Sequence, residues 1–421
     1  MSSEVNRIVT FKEVLVEPVR NGIYKSKEFH GRGCKIINMG ELFSFPRLHD
    51  VPMKRVELTE KEQSKSLVQQ GDLLFARRSL VAEGAGRCSI VSEVKEPTTF
   101  ESSIIRARPN PALVSSDYLY YFFSSRLGRE LMGTILRQMA VSGITGSDLM
   151  ELEFECPALE HQKAIAAFLS ALDDRITLLR ETNSTLEAIA QALFKSWFVD
   201  FDPVRAKVEG RQPEGMDAAT AALFPDSFEE SELGLVPRGW QVFSLGEVAV
   251  VKGGKQLEKE CFSESGKNPV FGGAGVMGRS DFQNASGFVI TVGRVGAYCG
   301  QFFWHIGGTW VNNNASQILP NSEFSPIWLY EFLRTTDIES IKKGAAQPFV
   351  SNGDLANLKM ALPAPNIVRC FSDFADPIYQ RMHSLQLQAQ TLIHLRDTLL
   401  PRLISGQLRL PEAEALVEEA L

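Results

Sequence analysis

The 421-residue sequence predicts an α+β fold. Two tandem domains, each a mixed, twisted β-sheet with short helices, are separated and followed by two long helices pairing as an antiparallel coiled coil, with pseudo-two-fold symmetry. Three observations predict it: an internal repeat, two stretches of seven-residue leucine spacing, and a Pro/Gly-rich break between the copies. Length alone asks for more than one core at roughly 150 residues per domain. With 44% hydrophobic and 23% charged residues, the composition is globular and excludes disordered and collagenous classes.

The repeat appears when Leu152 to Pro157 (LEFECP) is set beside Leu358 to Pro363 (LKMALP), an offset of 206 residues. Without a gap the same offset pairs Ala158 with Ala364, Phe168 with Phe374, Arg175 with Arg381, Thr185 with Thr391 and Leu193 with Leu399. Backwards it matches Asp148-Leu149 to Asp354-Leu355. Upstream the register shifts by a few residues, so that Leu119-Tyr120 and Phe122 answer Leu329-Tyr330 and Phe332. Gly71 to Arg78 (GDLLFARR) likewise resembles Gly287 to Arg294 (GFVITVGR), each a strand-like apolar run ending in arginine. The chain divides accordingly into a first mixed domain (1–150), a long helix (151–202), an acidic Pro/Gly linker (203–235), a second mixed domain (236–357), a second long helix (358–407) and a tail (408–421).

In the first long helix Leu172, Leu179, Leu186 and Leu193 recur every seven residues, with Ile165, Phe168, Ile176 and Ile189 in the neighbouring stripe. Ile378, Leu385, Leu392 and Leu399 hold the same places in the second. Sustained heptads make a coiled-coil seam, and two homologous seams in one chain are expected to pair with each other. A helix of roughly 40 residues spans roughly 60 Å at 1.5 Å per residue, the length of a spacer. The linker, extended at up to about 3.3 Å per residue, can run back along such a helix, which makes antiparallel pairing feasible.

Catalytic motifs are weak. Cys34, Cys88, Cys156, Cys261, Cys299 and Cys370 stand singly with no C-x-x-C, and the histidines, including His161, His305, His383 and His394, form no H-E-x-x-H, so neither metal nor catalytic chemistry is expected. Gly273-x-Gly275-x-x-Gly278 fits a dinucleotide pattern but is followed by Arg279-Ser280-Asp281, which reads as loop. Asn268-Pro269-Val270-Phe271 only faintly resembles the N-P-P-Y/F motif of amino-methyltransferases, and Glu93-Val94-Lys95 lacks a partnered acidic strand for nuclease chemistry. The residues before Leu172 are not a basic region, which excludes a leucine-zipper transcription factor. No apolar run approaches the roughly 20 residues of a membrane span and Met1 to Glu13 lacks the order of a secretory signal, so a cytoplasmic location is expected.

Leu193 to Lys207 (LFKSWFVDFDPVRAK), Phe224-Pro225-Asp226 and Leu233 to Trp240 (LGLVPRGW) strongly resemble the central region of the specificity subunit of type I restriction-modification systems. The repeat, the long helices and Pro269 to Val276 (PVFGGAGV) are similar to it as well. Two departures stand out: the usual P-P-x-x-E-Q helix opening reads Pro157-Ala158-Leu159-Glu160-His161-Gln162, and its second copy (PAPNIVRC) has lost the Glu-Gln. The resemblance implies a non-catalytic subunit with two target-recognition domains that bind an asymmetric, bipartite stretch of double-stranded DNA, the helices setting the gap. It also implies two modification subunits, carrying S-adenosylmethionine, and two restriction/translocase subunits using ATP and Mg, with no cofactor in this chain. A structural coiled-coil scaffold with two protein-binding heads is the alternative, and a stand-alone DNA-modifying enzyme a weaker one.

For DNA contact the candidates are Arg77, Arg78 and Arg294 at the ends of the strand-like runs, and Lys25, Lys27, Arg87, Lys255 and Arg279 in polar, glycine-containing loops, since arginine reads guanine and both cations bind phosphate. Phe194, Trp197, Phe198 and Phe201 are expected to anchor a helix end rather than stack on bases. The formal net charge of -7 opposes a nucleic-acid role at first sight, but its distribution removes the objection. Residues 1–150 carry 21 basic and 17 acidic groups and residues 236–357 carry 10 of each, while residues 151–235 carry 7 and 17. The acidity sits in the first helix and linker, away from the proposed reading heads.

Overall fold

The computed structural model describes residues 7–79, 84–137, 142–322, 324–344 and 346–420; the outer limits of the expected segmentation, residues 1 and 421, lie outside the described residues. The chain forms two units, Met1–Leu178 with Gln388–Leu421, and Leu179–Leu387.

In the first unit the strands run β1 (Arg7–Thr10), β2 (Leu15–Asn21), β3 (His30–Ile37), β4 (Arg47–Leu48), β5 (Lys54–Val56), β6 (Leu73–Ala76), β7 (Arg78–Ser79), β8 (Cys88–Val91), β9 (Thr98–Phe100), β10 (Ile104–Pro109), β11 (Ser142–Gly143) and β12 (Glu153–Cys156). Short helices α1 (Met39–Ser44), α2 (Glu60–Ser66), α3 (Ser116–Ser124), α4 (Arg126–Thr134) and α5 (Gly146–Met150) lie between them. One sheet has the order β2-β10-β6-β8-β4 and a second β5-β3-β9, in which β3 and β9 are parallel. Strand β6 (LLFA) is buried at every residue, as its unbroken apolar run requires of a strand covered on both faces. Its neighbour β10 buries Arg106, whose guanidinium donates to the Leu67 carbonyl and to Glu17, while Arg108 grips Asp72 with two nitrogens. Burying such charges is tolerable when most of their donors are paired; the buried Arg106 Nε, with no hydrogen-bond partner among the described residues, still lies 4.0 Å from the Asp72 carboxylate.

The long helix α6 (Leu159–Phe198) follows, then α7 (Asp202–Val208) and α8 (Ala218–Leu223). The second unit adds β13 (Phe228–Ser231), β14 (Gly234–Pro237), β15 (Gln241–Ser244), α9 (Leu245–Val248), β16 (Ala249–Gly253), β17 (Asn268–Gly272), β18 (Gly275–Ser280), β19 (Phe288–Gly293), β20 (Phe302–Ile306), β21 (Trp310–Val311), β22 (Ala315–Pro320), α10 (Pro326–Thr335), α11 (Asn352–Ala356) and β23 (Lys359–Leu362). The second long helix α12 (Pro365–Ile404) and α13 (Leu410–Ala420) complete the chain. Sheets β16-β22-β19-β20 and β18-β17-β21 repeat the order of β2-β10-β6-β8 and β5-β3-β9, including a parallel pair, here β17 with β21, while β4 has no counterpart among the described residues. The β1–β12 ladder recurs as β15–β23. Caps recur too: Ser115 and Ser325 open α3 and α10, and Thr145 and Ser351 open α5 and α11.

One contact is retained with its chemistry exchanged. In the first unit the Tyr121 hydroxyl on α3 donates to Asp173 on α6 at 2.6 Å. In the second, Tyr379 on α12 occupies the place of Asp173 and donates to Glu331 on α10 at 2.5 Å. Donor and acceptor have changed sides while the bond persists.

The long helices are 40 residues each and run antiparallel. In the first unit Ile165 and Leu169 of α6 share a core with Leu399 and Leu403 of α12, and Arg396 pairs with Asp173 at 2.7 Å. In the second, Ala190, Phe194 and Phe198 of α6 meet Ile367 and Phe371 of α12, the Phe194 and Phe371 rings lying 5.6 Å apart. Leu172, Leu179, Leu385, Leu392 and Leu399 are buried, as the heptads require. Leu186, Leu193 and Ile378 are only half-buried and Ile189 is 45% exposed, because Ala190 and Phe194 on α6, and Ala375 and Tyr379 on α12, carry the buried stripe at that end. The strict seven-residue seam is thus corrected: each helix end turns its apolar face into a domain core as well as toward the other helix.

The linker is also corrected. Instead of an extended tether, 203–235 folds as α7, α8 and the start of the β13–β14 hairpin, because Phe224 packs on Trp197 at 5.3 Å and Phe228 on Phe201 at 6.1 Å. Phe201 itself turns the chain in a left-handed conformation, φ 56°, immediately before α7. The tail is not loose either: Leu408 and Ala413 seat it, through α13, in the first unit's core.

Candidate nucleic-acid interface

At the end of its central strand each unit builds the same corner. In the first, the Ile144 N–H donates to the Arg77 carbonyl at 3.0 Å; in the second, the Val350 N–H donates to the Arg294 carbonyl at 3.0 Å. Ile144 and Val350 are separated by the repeat offset, so Arg77, and not Arg78, is the counterpart of Arg294, a one-residue correction to the sequence alignment. Beside the corner two residues exchange backbone bonds, Arg137 with Gly143 in the first unit and Lys343 with Phe349 in the second. The cation in each exchange pairs with the carboxylate of the adjoining helix at 2.7 Å, Arg137 with Asp148 and Lys343 with Asp354. Hydrogen bonding from Lys343, then from Ser351, holds the Asp354 carboxyl below its ordinary range.

A glycine fixes the neighbouring strand end in both units. A Cβ at Gly22 would stand 2.1 Å from the Glu101 carbonyl oxygen, and one at Gly254 2.1 Å from that of Asn312. Both backbones are tied there: Gly22 N–H donates to Ile104 O at 3.0 Å and Gly254 N–H to Ala315 O at 2.9 Å. Only glycine lets the chain pass so close.

The structure divides the sequence-predicted cations. Arg78 is exposed on β7; Arg77 is half-buried, with Nη1 donating to the Ser102 carbonyl at 3.3 Å. Arg294 is half-buried near Gly253, and its Nε is buried with no hydrogen-bond partner among the described residues. Lys255 is exposed just beyond Gly254, its own peptide held to Val311 and to the Trp310 indole. Lys27 is exposed on a single turn, and exposed Arg87 sits 5.3 Å from the Phe43 ring. Two candidates are already committed within the protein. Lys25 binds Glu62 at 2.7 Å and, with Thr59, holds that carboxyl down to about 2, while Arg279 donates to the Gly266 and Lys267 carbonyls. Arg137 and Lys343 were not among the predicted residues, though the repeat offset carried a few residues further back pairs them. Phe194, Trp197, Phe198 and Phe201 pack with Trp240, Trp328 and Phe371, the anchoring role expected of them.

A family model described as the type I restriction modification DNA specificity domain matches residues 9–188 and 237–387, one match in each copy of the repeat. The chain belongs to this family. This specificity-family chain is 26% identical over 420 residues to the type I restriction enzyme MjaIX specificity subunit of Methanocaldococcus jannaschii, covering 92% of this chain and 90% of that one. It is also 26% identical over 465 residues to the HindI specificity subunit of Haemophilus influenzae, covering 94% and 99%. A crystal structure of the type I restriction-modification S subunit from M. genitalium shares the fold, with a TM-score of 0.58 at 17% identity over 96% of this chain and 97% of that chain. Membership places the chain among type I specificity subunits and sets the DNA-specificity reading above the scaffold. No group of three or more metal-ligating side chains lies together among the described residues, and no described helix is long and apolar enough to cross a membrane.

Proposed function

We propose that the chain reads an asymmetric, bipartite DNA target, one tract per unit, as the non-catalytic member of its complex. The observation that carries this is the corner built twice: one backbone scaffold, held by the same bonds, presenting different outward side chains. Equivalent frames with unequal side chains suit two different tracts of one duplex. The exposed or unpartnered cations Arg78, Lys255 and Arg294 are the leading readers, through guanine edges or phosphate. Lys25 and Arg279 serve the fold. The long helices act as the spacer that sets the gap between tracts.

Two modification subunits supply adenine methylation from S-adenosylmethionine, and two restriction/translocase subunits supply the ATP- and Mg-dependent steps. This chain holds no cofactor of its own. Footprinting the chain together with its modification subunit tests the reading. Two short protected tracts, with affinity falling steeply as salt rises, are expected. Absent or salt-insensitive binding sinks it.

A further inference from the structure

The two corners differ at one cross-strand pair. In the first unit Arg78 faces Gly143 across the β7–β11 ladder. In the second, the equivalent bridge joins Val295 to Phe349. Arginine and glycine have been replaced by valine and phenylalanine at the same place on the same scaffold. These apolar residues are not buried: Val295 is 37%, Phe349 41% and nearby Tyr298 52% exposed. Tyr298 belongs to the same tip, since a Cβ at Gly293 would meet its carbonyl oxygen at 2.7 Å.

The tip is bordered by two cations. Arg294 directly precedes Val295 and its N–H donates to the Asn314 carbonyl; Lys343 is bonded through its backbone to Phe349, while its ammonium, more than half exposed, is shared with Asp354. An apolar centre bordered by positive charge suits an anionic surface that carries small apolar groups. Duplex DNA offers these as the thymine 5-methyl groups of the major groove, flanked by phosphates. The neutral charge of residues 236–357, with 10 basic and 10 acidic groups, points the same way, because this head lacks the excess cations for a purely ionic grip.

Resting on the DNA-reading function proposed above, we infer that the second unit recognises thymine methyl groups in its tract through Val295, Tyr298 and Phe349, whereas the first unit presents Arg78 at the equivalent point. The test uses the chain assembled with its modification subunit and duplexes in which uracil replaces thymine in one tract at a time. Binding is followed by fluorescence anisotropy. One tract should lose affinity about fourfold for each contacted methyl removed. That loss should vanish in the double variant Tyr298→Ala/Phe349→Ala, while the other tract is bound alike by both proteins. Equal affinity for thymine and uracil in both tracts overturns the inference and leaves DNA reading intact. A loss that persists unchanged in the double variant also overturns it, as does a rise in 2-aminopurine fluorescence reporting an unstacked base, which would mark the tip as a wedge. Failure of the assembly to bind any duplex specifically overturns the DNA-reading function itself, and the inference with it.

Discussion

Removing the Tyr379 hydroxyl tests the reasoning about the exchanged contact. Glu331 is 1% exposed, and Tyr379 donates to its Oε1 at 2.5 Å. A hydrogen bond to a charged group contributes about 1.5–3 kcal/mol, and stranding the buried acceptor is the larger part of the cost. For Tyr379→Phe we expect a loss of about 2 kcal/mol; in a unit of this size each kcal/mol moves the midpoint by about 2–4 °C, giving a drop of about 4–8 °C. Burial holds the Glu331 carboxyl above its ordinary 4.5, while Tyr379 and then Arg334 pull it back down and Glu187 adds to the rise. A raised carboxyl favours the folded state while protonated. That contribution is therefore present below about pH 4.5 and is lost as pH climbs through the raised folded value. Without the hydroxyl the folded value rises further, so the deficit of the variant should grow with pH across that window. Calorimetry or urea unfolding at several pH values measures it. Tyr379→Phe/Glu331→Met, which removes both polar partners, should recover much of the loss. A single variant as stable as the parent, or a double variant losing the sum of the two single changes, refutes the argument. Tyr121→Phe should cost less, about 1 kcal/mol, because Asp173 keeps Arg396 at 2.7 Å.

Other outcomes follow from the same geometry. Gly254→Ala forces a Cβ to within 2.1 Å of the Asn312 carbonyl oxygen and should destabilise the second unit by about 3 kcal/mol, read by urea unfolding; a change below about 0.5 kcal/mol contradicts the close approach. Arg294→Ala should relax selection at one or two base pairs at a cost of about 1–3 kcal/mol, whereas Lys255→Ala should weaken all sequences alike and lower the salt slope by about one; selection from random duplexes separates the two patterns. Deleting one heptad from each of α6 and α12 shortens each by about 10 Å, so methylation-sensitive sequencing should find the gap reduced by about three base pairs with both tract sequences unchanged. Altered tract sequences would contradict the spacer role.

What the sequence made legible was whatever repeats without a gap. The 206-residue offset identified the doubled plan, and the heptads located both long helices. The alignment of the two strand-like runs failed by one residue at Arg77 and Arg294, because two apolar runs ending in arginine can be slid past each other at little apparent cost. The linker misled because its Pro, Gly and acidic content reads as coil, while its order comes from Phe224 and Phe228 docking on aromatics at the end of α6. At the interface the residue type was readable and its availability was not. Arg279 is satisfied by carbonyls 12 and 13 residues away in sequence, and Lys25 by a carboxylate 37 residues away. Such partners become neighbours only through the tertiary fold.

The exchanged tyrosine and carboxylate bear on any attempt to graft one reading head onto the other's stalk. A chimera with the first head on the second helix would set Tyr121 against Tyr379, two hydroxyls where one carboxylate is needed. The reciprocal graft would bury Glu331 against Asp173, two acids with no donor between them. The portable module is therefore the head together with the stretch of helix it grips, and cut points chosen within α6 beyond Asp173 and within α12 beyond Tyr379 preserve each lock with its own key.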